Sequence, residues 1–159
     1  MDKYIPLNQG KFSLVSSADF DSLSEFKWSA LSTTNGFHYA VRHTRVSEGV
    51  PGRTVYMHRQ VLGVEKGTEV DHINGDRLDN RRENLRVCTR EQNCSNVAIS
   101  KTNTSGFKGV TWHKSKKRWL AMIRFGGRKI TLGAFKDRLE ASECYNEACR
   151  SLHGEFARY

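Results

Sequence analysis

The chain has 159 residues, of which 37% are hydrophobic and 27% charged, and its formal net charge is +9. This length fits one domain or two small ones. No apolar run approaches the length of a membrane span, and the N-terminal segment lacks the apolar stretch of a signal peptide, so we expect an intracellular, cytoplasmic protein.

The positive charge is concentrated towards the C-terminal end of the chain. Residues 1–104 hold 14 Lys or Arg against 12 Asp or Glu, a net charge of +2, whereas residues 105–159 hold 12 against 5, a net charge of +7. Such asymmetry favours a polyanionic partner for the C-terminal part, and nucleic acid in particular. The alternative is a basic surface that is merely solvated.

The N-terminal region, residues 4–46, predicts short strands. The segment GFHYAVRHTRV (36–46) alternates apolar and polar residues, and Asn35-Gly36 before it is a hairpin-turn signal. A loop is predicted over 47–53, and TVYMHRQVLG (54–63) then indicates a strand that runs into a short helix. We interpret His58 in that helix as a structural residue rather than a member of a site.

The stretch from Val70 to Val97, VDHINGDRLDNRRENLRVCTREQNCSNV, carries the residues with chemistry. A strand is predicted at its start and a second one at LRVC (85–88), separated by a long polar loop. Thr89 is predicted to cap a helix, because Gln92 stands at the position that a capping box needs. The predicted order is strand, loop, strand and helix.

An Asp-His pair with a nearby asparagine suits metal-assisted phosphodiester hydrolysis. The imidazole of His72 can activate water, while the oxygens of Asp71 and Asn93 can hold a divalent cation. Two hard ligands with open positions suit Mg²⁺ (or Mn²⁺), and the four cysteines, none in a CxxC pair, are better explained as core residues than as zinc ligands. The alternative is that these polar residues only decorate a turn.

Adjacent strand residues point to opposite faces, which restricts how Asp71 and His72 can act together. They can serve one centre at a twisted strand end, or with metal and base on different sides of the phosphate. Both arrangements remain open at this point.

The stretch resembles the HNH nucleases, specifically the branch of phage-type homing endonucleases, through the pattern DHINGD…DNRRENLR…QN. With IPLNQGKFSLV, the region of Trp28 and MHRQVLG, the resemblance covers about residues 4–97. It implies a ββα-metal nuclease domain over residues 1–97 in which His72 is the general base, Asp71 and Asn93 are metal ligands and Asn84 braces the loop. Asn93 stands where many members of the family have His.

The C-terminal third has a different pattern. Residues 98–104 are small and polar and predict a linker. Three antiparallel strands are predicted at FKGVTWH (107–113), KRWLAMIRF (117–125) and RKITLGAF (128–135), followed by an amphipathic helix that Asp137 caps and Gly154 ends. The whole chain is therefore predicted to be α+β, with a three-stranded antiparallel sheet packed on one helix at its C-terminal end.

The strand KRWLAMIRF has two distinct faces. Trp119, Ala121, Ile123 and Phe125 suit packing on the helix, whereas the alternate positions form a cationic face that a DNA major groove can accept. Trp112 and His113 could join that face or pack.

Residues 105–159 form the predicted DNA-binding domain, because residues 105–157 resemble that domain of plant ethylene-response-factor (ERF/APETALA-type) proteins. The matching pieces are KGV (108–110), WLAMIR (119–124), LGAF (132–135) and the helix ending at His153-Gly154. The DNA-binding positions that this resemblance implies are Lys108, Arg118, Leu120, Met122, Arg124, Lys129 and Thr131.

Together these features predict a metal-dependent DNA endonuclease of homing type with a cutting module and a holding module. One active centre per chain favours nicking of double-stranded DNA by a monomer or weak dimer, in the bacterial host cell if a phage encodes the protein. The alternative is a non-catalytic, sequence-preferring DNA-binding regulator. An RNA-acting enzyme is disfavoured, because the major groove of A-form RNA is too narrow to read.

Overall fold

The computed structural model describes residues 1–45, 51–100 and 102–159. Parts of the predicted loop 47–53 and of the predicted linker 98–104 lie outside these residues. The chain divides into two units, Met1–Cys88 and Thr89–Tyr159. Small antiparallel sheets and a few helices confirm the mixed α and β content that was predicted.

In its described residues the first unit has three small antiparallel sheets, two α-helices and a 3₁₀ helix at Arg82–Asn84. The strands pair as β1 with β2, as β3–β4–β5, and as β6 with β7. The elements are β1 (Lys3–Pro6), β2 (Phe12–Val15), α1 (Ser17–Ser24), β3 (Ser29–Ser32), β4 (His38–His43), β5 (Thr54–Tyr56), α2 (Met57–Leu62), β6 (Glu69–His72) and β7 (Leu85–Cys88).

Helix α1 corrects the expectation that residues 4–46 form strands only. Contacts with distant parts of the chain stabilise this helix, because Leu23 is fully buried in the core of the first unit and Phe20 packs against that core. The indole Nε1 of Trp28 donates to the Leu23 carbonyl at 2.7 Å and so satisfies an oxygen near the C-terminal end of the helix. An eight-residue helix of low amphipathicity leaves a weak pattern in the sequence.

Strands β6 and β7 and the loop between them pack on the core of the first unit. Leu85, at the start of β7, is a buried member of it, and Val70 and Leu78 pack against it. These three apolar residues anchor both strands and the loop between them. The buried members of the core are Ile5, Val15, Leu23, Trp28, Ala40, Met57, Val61 and Leu85.

The second unit consists of a short helix, a three-stranded antiparallel sheet and a long helix that packs on the sheet. Strand β9 is central in the order β10–β9–β8. Gly109 has φ +72°, and a Cβ there would overlap the ring of Tyr145, so only glycine allows the long helix to approach so closely. The elements are α3 (Arg90–Ser95), β8 (Val110–His113), β9 (Arg118–Phe125), β10 (Arg128–Phe135) and α4 (Arg138–His153).

Both helices of the second unit begin where the sequence predicts. The Thr89 hydroxyl accepts from the Gln92 amide while the Gln92 side chain accepts from the Thr89 amide, which is a complete capping box. The Asp137 carboxylate caps α4. Within the described part of the chain, no helix is both long and apolar enough to cross a membrane.

Candidate active site

Strands β6 and β7, with the loop that joins them, carry the site of the first unit. In this antiparallel pair Asp71 lies opposite Arg86 and His72 opposite Leu85. Burial along β6 increases towards its end, so the Asp-His pair is almost wholly withdrawn from solvent. The carboxylate and the imidazole therefore lie where the low dielectric strengthens each of their interactions.

The His72 imidazole is held by a buried asparagine. His72 Nε2 lies 3.4 Å from Asn80 Oδ1. The Asn80 amide nitrogen donates to the Ser13 hydroxyl at 2.8 Å and faces the Leu78 carbonyl, which can only accept, so its oxygen is directed at the imidazole. This orientation of Asn80 favours the tautomer with the proton on Nε2, in which Nδ1 is the basic nitrogen.

Burial lowers the pKa of His72 below its ordinary value. The hydrogen bond with Asn80 and the charge of Asp71 act in the opposite direction but do not outweigh it. The imidazole is consequently neutral near pH 7, which is the state a general base requires.

Two tyrosines and a second histidine form a wall against His72. The ring centroid of His58 lies 5.2 Å from that of His72, and Tyr39 lies 6.3 Å from it. Tyr56 contacts both Tyr39 and His58. Burial, with smaller effects of His72 and Arg59, lowers the pKa of His58 to about 3. His58 therefore stays neutral and packs directly on the predicted base.

Asp71 has different neighbours from His72. Arg86 donates to its Oδ2 from Nε at 3.0 Å and from Nη2 at 2.8 Å, and both side chains are largely buried. The carboxylate is thus oriented by a fork of two charge-assisted bonds. Asp71 and His72 therefore adjoin along β6 but are held by different partners.

Asn84 ties the beginning of the β6–β7 loop to its end. Its Oδ1 accepts from the Asn74 amide at 3.0 Å and its Nδ2 donates to the Asp79 carbonyl at 2.8 Å. Its own carbonyl accepts from the Ile73 amide. A single buried side chain therefore fixes both ends of the segment that follows His72.

Asp79 and Asn80 are site residues that sequence reasoning missed. Arg81 binds the Asp79 carboxylate through Nε at 2.8 Å and Nη2 at 2.7 Å, and Asn74 donates to it at 2.8 Å. Burial alone would raise the pKa of Asp79, but these hydrogen bonds outweigh it and lower the pKa. Both residues stand in the pattern DHINGD…DNRRENLR, as its Asp-Asn pair, so the sequence did contain them. Only the fold shows that Asn80 contacts His72.

The predicted ligand Asn93 lies on α3, which belongs to the second unit. Contacts at both ends hold this helix within that unit. The Gly126 amide donates to Glu91 at 2.5 Å, and Ser95 bonds to the His153 ring. At the C-terminal end, cationic side chains meet backbone carbonyls: Lys108 donates to the carbonyl of Ser95, and Arg158 to that of Asn96.

The outward face of the β8–β9–β10 sheet is cationic, with two departures from the predicted set. Lys108 is half-buried, its ammonium donates to two backbone carbonyls, and burial lowers its pKa. Leu120 is 8% exposed because it lies on the central strand. Neither has its side chain exposed as the resemblance implied. The other predicted positions are Arg118 and Met122, which are half-buried, and Arg124, Lys129 and Thr131, which are exposed.

The pairing within the sheet separates Trp112 from His113. Trp112 lies opposite Trp119, with ring centroids 5.0 Å apart, and Trp119 packs against the core under α4. Trp112 is therefore on the helix side of the sheet. His113 pairs with Arg118 and lies on the outward side.

The donor set of the first unit limits the metal that it could hold. Among the described residues, no group of three or more His, Cys, Asp or Glu side chains is arranged to hold a metal ion. Asp71 offers a hard oxygen donor that Arg86 keeps in one orientation. A cation that keeps its waters and takes substrate oxygens, as Mg²⁺ does, fits such a sparse set.

Residues 55–94 match the model of the HNH endonuclease family. Over 96 residues the chain is 34% identical to Protein 3.8 of Escherichia phage T7, an alignment that covers 60% of this chain and 78% of that protein. The chain belongs to the HNH endonuclease family. Over 149 residues it is also 26% identical to Uncharacterized HNH endonuclease L560 of Acanthamoeba polyphaga mimivirus, covering 94% of this chain and 74% of that protein. No solved structure matches it.

Family membership confirms the general prediction of a nuclease that acts on DNA and has viral relatives. HNH nucleases generally depend on a divalent metal, in agreement with the hard donors of this chain. The matched segment contains all four predicted site residues, namely Asp71, His72, Asn84 and Asn93.

Proposed function

We propose that this HNH protein is a divalent-metal-dependent endonuclease of homing type that nicks double-stranded DNA. The observation that carries the proposal is the His72 imidazole, which is buried, neutral and oriented by Asn80 inside the matched segment. A base with a fixed tautomer and a lowered pKa is the component that phosphodiester hydrolysis requires of the protein.

In the proposed reaction His72 takes a proton from the water that attacks phosphorus. The Asn80 carbonyl keeps Nε2 protonated, so the proton arrives at Nδ1, and the resulting imidazolium is stabilised by the nearby charge of Asp71. Asn84 keeps the loop in place while the charge on the imidazole changes. The P–O3′ bond breaks as the new P–O bond forms, and the 3′ oxygen leaves with the electron pair.

The metal would be held by Asp71 and Asn93, as the resemblance implies, and Mg²⁺ or Mn²⁺ suits these oxygen donors. When bound, such a cation stabilises the charge that develops on the phosphate and the leaving oxygen. Arg86 supports the role of Asp71, because its fork holds the carboxylate in one orientation. Asn93 belongs to the second unit, and its role rests on the resemblance.

The second unit is proposed to hold the duplex. The outward face of its sheet presents Arg124 directly opposite Lys129, and Met122 opposite Thr131. Exposed cations on a twisted antiparallel ribbon suit the phosphates that border a major groove. The resemblance to ERF/APETALA-type domains supports the same face, with Arg118 at its edge.

Nicking follows from the single base in each chain. A monomer has one His72 and cuts one strand in one encounter, whereas a double-strand break requires a dimer or a second encounter. We therefore propose a monomer or weak dimer that acts on DNA in the host cytoplasm.

The proposal is tested by incubating supercoiled plasmids of unrelated sequence with Mg²⁺ or Mn²⁺, with and without EDTA. The wild-type protein should convert them to open circles only when the metal is available, and His72→Ala should not. His43→Ala, which removes an exposed imidazole at the end of β4, serves as the matched control and should nick normally. Linear product at low conversion would contradict nicking. Absence of cleavage by folded wild-type protein with either metal, tested also on a plasmid library with randomised inserts so that a usable site is supplied, would overturn the nuclease assignment.

A further inference from the structure

Arg77, in the loop between β6 and β7, is stacked on two aromatic rings. Its guanidinium carbon lies 3.9 Å from the ring centroid of Phe37 and 5.0 Å from that of Tyr39. Stacking holds a guanidinium through its face and leaves the N–H groups along its edge available to an acceptor. Arg77 itself is half-buried. The side chain is therefore held in one orientation by residues from a different part of the unit.

The other arginines of this loop, and Arg86 on strand β7, are neutralised by carboxylates. Arg81 pairs with Asp79, Arg82 with Asp19 and Arg86 with Asp71, each at 2.7 or 2.8 Å. Arg77 has no such ion pair among the residues that the structure describes. A cation that aromatic rings hold rigidly, without a carboxylate of its own, is poised to receive an anion.

This cation is close to the predicted base. The ring of Tyr39, against which Arg77 lies, is 6.3 Å from the ring of His72. An anion bound at Arg77 would thus lie in the neighbourhood of the imidazole, since the ring of Tyr39 contacts both groups.

We propose that Arg77 is a phosphate-binding residue of the nuclease site, which grips a backbone phosphate of the duplex at or next to the bond that is cut. The planar fork of a guanidinium matches two phosphate oxygens, and its stacking means that little side-chain freedom is lost on binding. Phe37 and Tyr39 are positioning residues for Arg77. This inference rests on the proposed nuclease function and names a further contact of the same site.

The experiment separates binding from cutting. The nick is first mapped with wild-type protein, and a duplex spanning it is then bound to His72→Ala protein in EDTA, with and without Arg77→Gln. Loss of a charged hydrogen bond predicts binding that is weaker by about tenfold or more. Lys27→Gln, which removes an exposed charge elsewhere in the first unit, is the matched control and should change affinity little.

Methylphosphonate linkages, which are neutral, are then introduced one at a time around the nick. At the linkage that Arg77 contacts, neutralisation should abolish the difference between Arg77 and Arg77→Gln, while at other linkages that difference should persist. Arg77→Lys, which keeps the charge but not the fork, should bind with intermediate affinity. Thermal unfolding of each variant reports whether it is folded.

The outcomes distinguish the two proposals. If wild-type protein nicks the DNA but Arg77→Gln binds and cuts like Lys27→Gln, the Arg77 proposal is wrong and the nuclease function stands. The same holds if the effect of Arg77→Gln is equal at every linkage, because a general charge effect then explains it. If folded wild-type protein nicks nothing, the nuclease function fails first, and the Arg77 contact fails with it.

Discussion

Positive charge is used differently in the loop of the first unit and on the sheet of the second. In the loop and on strand β7 that follows it, Arg81 and Arg86 are bound to buried carboxylates through two bonds each. On the sheet, Arg124 and Lys129 lie side by side and exposed. Paired, buried charge fixes geometry and is costly to disturb, whereas exposed charge attracts an anion and is screened by salt. The loop should therefore control chemistry and stability, and the sheet should control affinity.

The largest expected effect is on catalysis by His72, at the end of β6 where the loop begins. His72→Ala should lower the cleavage rate at saturating DNA by about 10²–10⁴-fold, because it removes the proton acceptor. DNA affinity measured in EDTA should remain within about twofold, since that affinity is expected to come mainly from phosphate contacts. Single-turnover nicking and a binding titration measure the two quantities. Equal loss of both would contradict the division between loop and sheet.

The second effect is on stability. Asn84→Ala would remove the hydrogen-bond partner of the buried Asp79 carbonyl and of the Asn74 amide, whose residue is exposed. The buried carbonyl left unsatisfied costs about 1–3 kcal/mol. The free energy of unfolding from denaturant titration should fall accordingly. Asn35→Ala, in an exposed turn, is the matched control and should change it little. A loss as small as that of the control would show that Asn84 does not brace the loop.

A third test uses pH to probe the wall beside His72. The pKa of His58 is about 3 in the folded protein and ordinary, near 6.5, once unfolded. Between these two pKa values the imidazole of His58 is protonated in the unfolded chain but not in the folded protein. The free energy of unfolding therefore falls as the pH decreases from the higher value towards the lower one. Between pH 7 and 5 the wild-type protein should lose about 2 kcal/mol more than His58→Leu.

Denaturant unfolding of both proteins at the two pH values measures this difference. Other groups that face His58, namely Tyr39, Tyr56, His72 and Arg59, remain in the variant and are common to both measurements. An equal pH dependence of the two proteins would mean that His58 is not buried as a neutral imidazole.

The smallest expected effect is on the sheet. Replacing Arg124 and Lys129 by Gln should weaken DNA binding by about tenfold or less at moderate salt. The slope of log K against log salt should become shallower by about 0.9 for each phosphate that these side chains no longer neutralise. Cleavage at saturating DNA should be unchanged. Arg150→Gln, on α4 at the other side of the sheet, is the matched control. An unchanged salt slope would move the DNA-binding surface away from this face.

Local patterns in the sequence predicted the parts of the fold that local contacts determine. The capping box at Thr89 and the cap at Asp137 are confirmed, and so are strands β6 and β7. These features depend on residues within a few positions of one another. Helix α1 was missed because its helical state depends on burial of Leu23 and on the distant indole of Trp28.

The surroundings of the site were harder to predict for the same physical reason. Asn80 is directed at His72 because the Leu78 carbonyl and Ser13, the latter far away in the sequence, hold its amide nitrogen. Arg77 likewise depends on Phe37 for its orientation. Alternation along β9 assigned Leu120 to an exposed face, but the position of a strand within its sheet also governs exposure. The sequence indicates residue types and spacing, whereas these roles arise from long-range contacts.

The position of α3 has a consequence for how such proteins exchange parts by recombination. Glu91 and Ser95 bind partners in the second unit, and the segment that matches the HNH family ends beyond the division at Cys88 and Thr89. A crossover in the predicted linker would separate α3 from its helix-end and hairpin contacts, whereas one at the division would split the HNH motif. A recombinant with either junction would lose the contacts of α3 or an intact motif. We therefore expect the nuclease motif and the second unit to be inherited together.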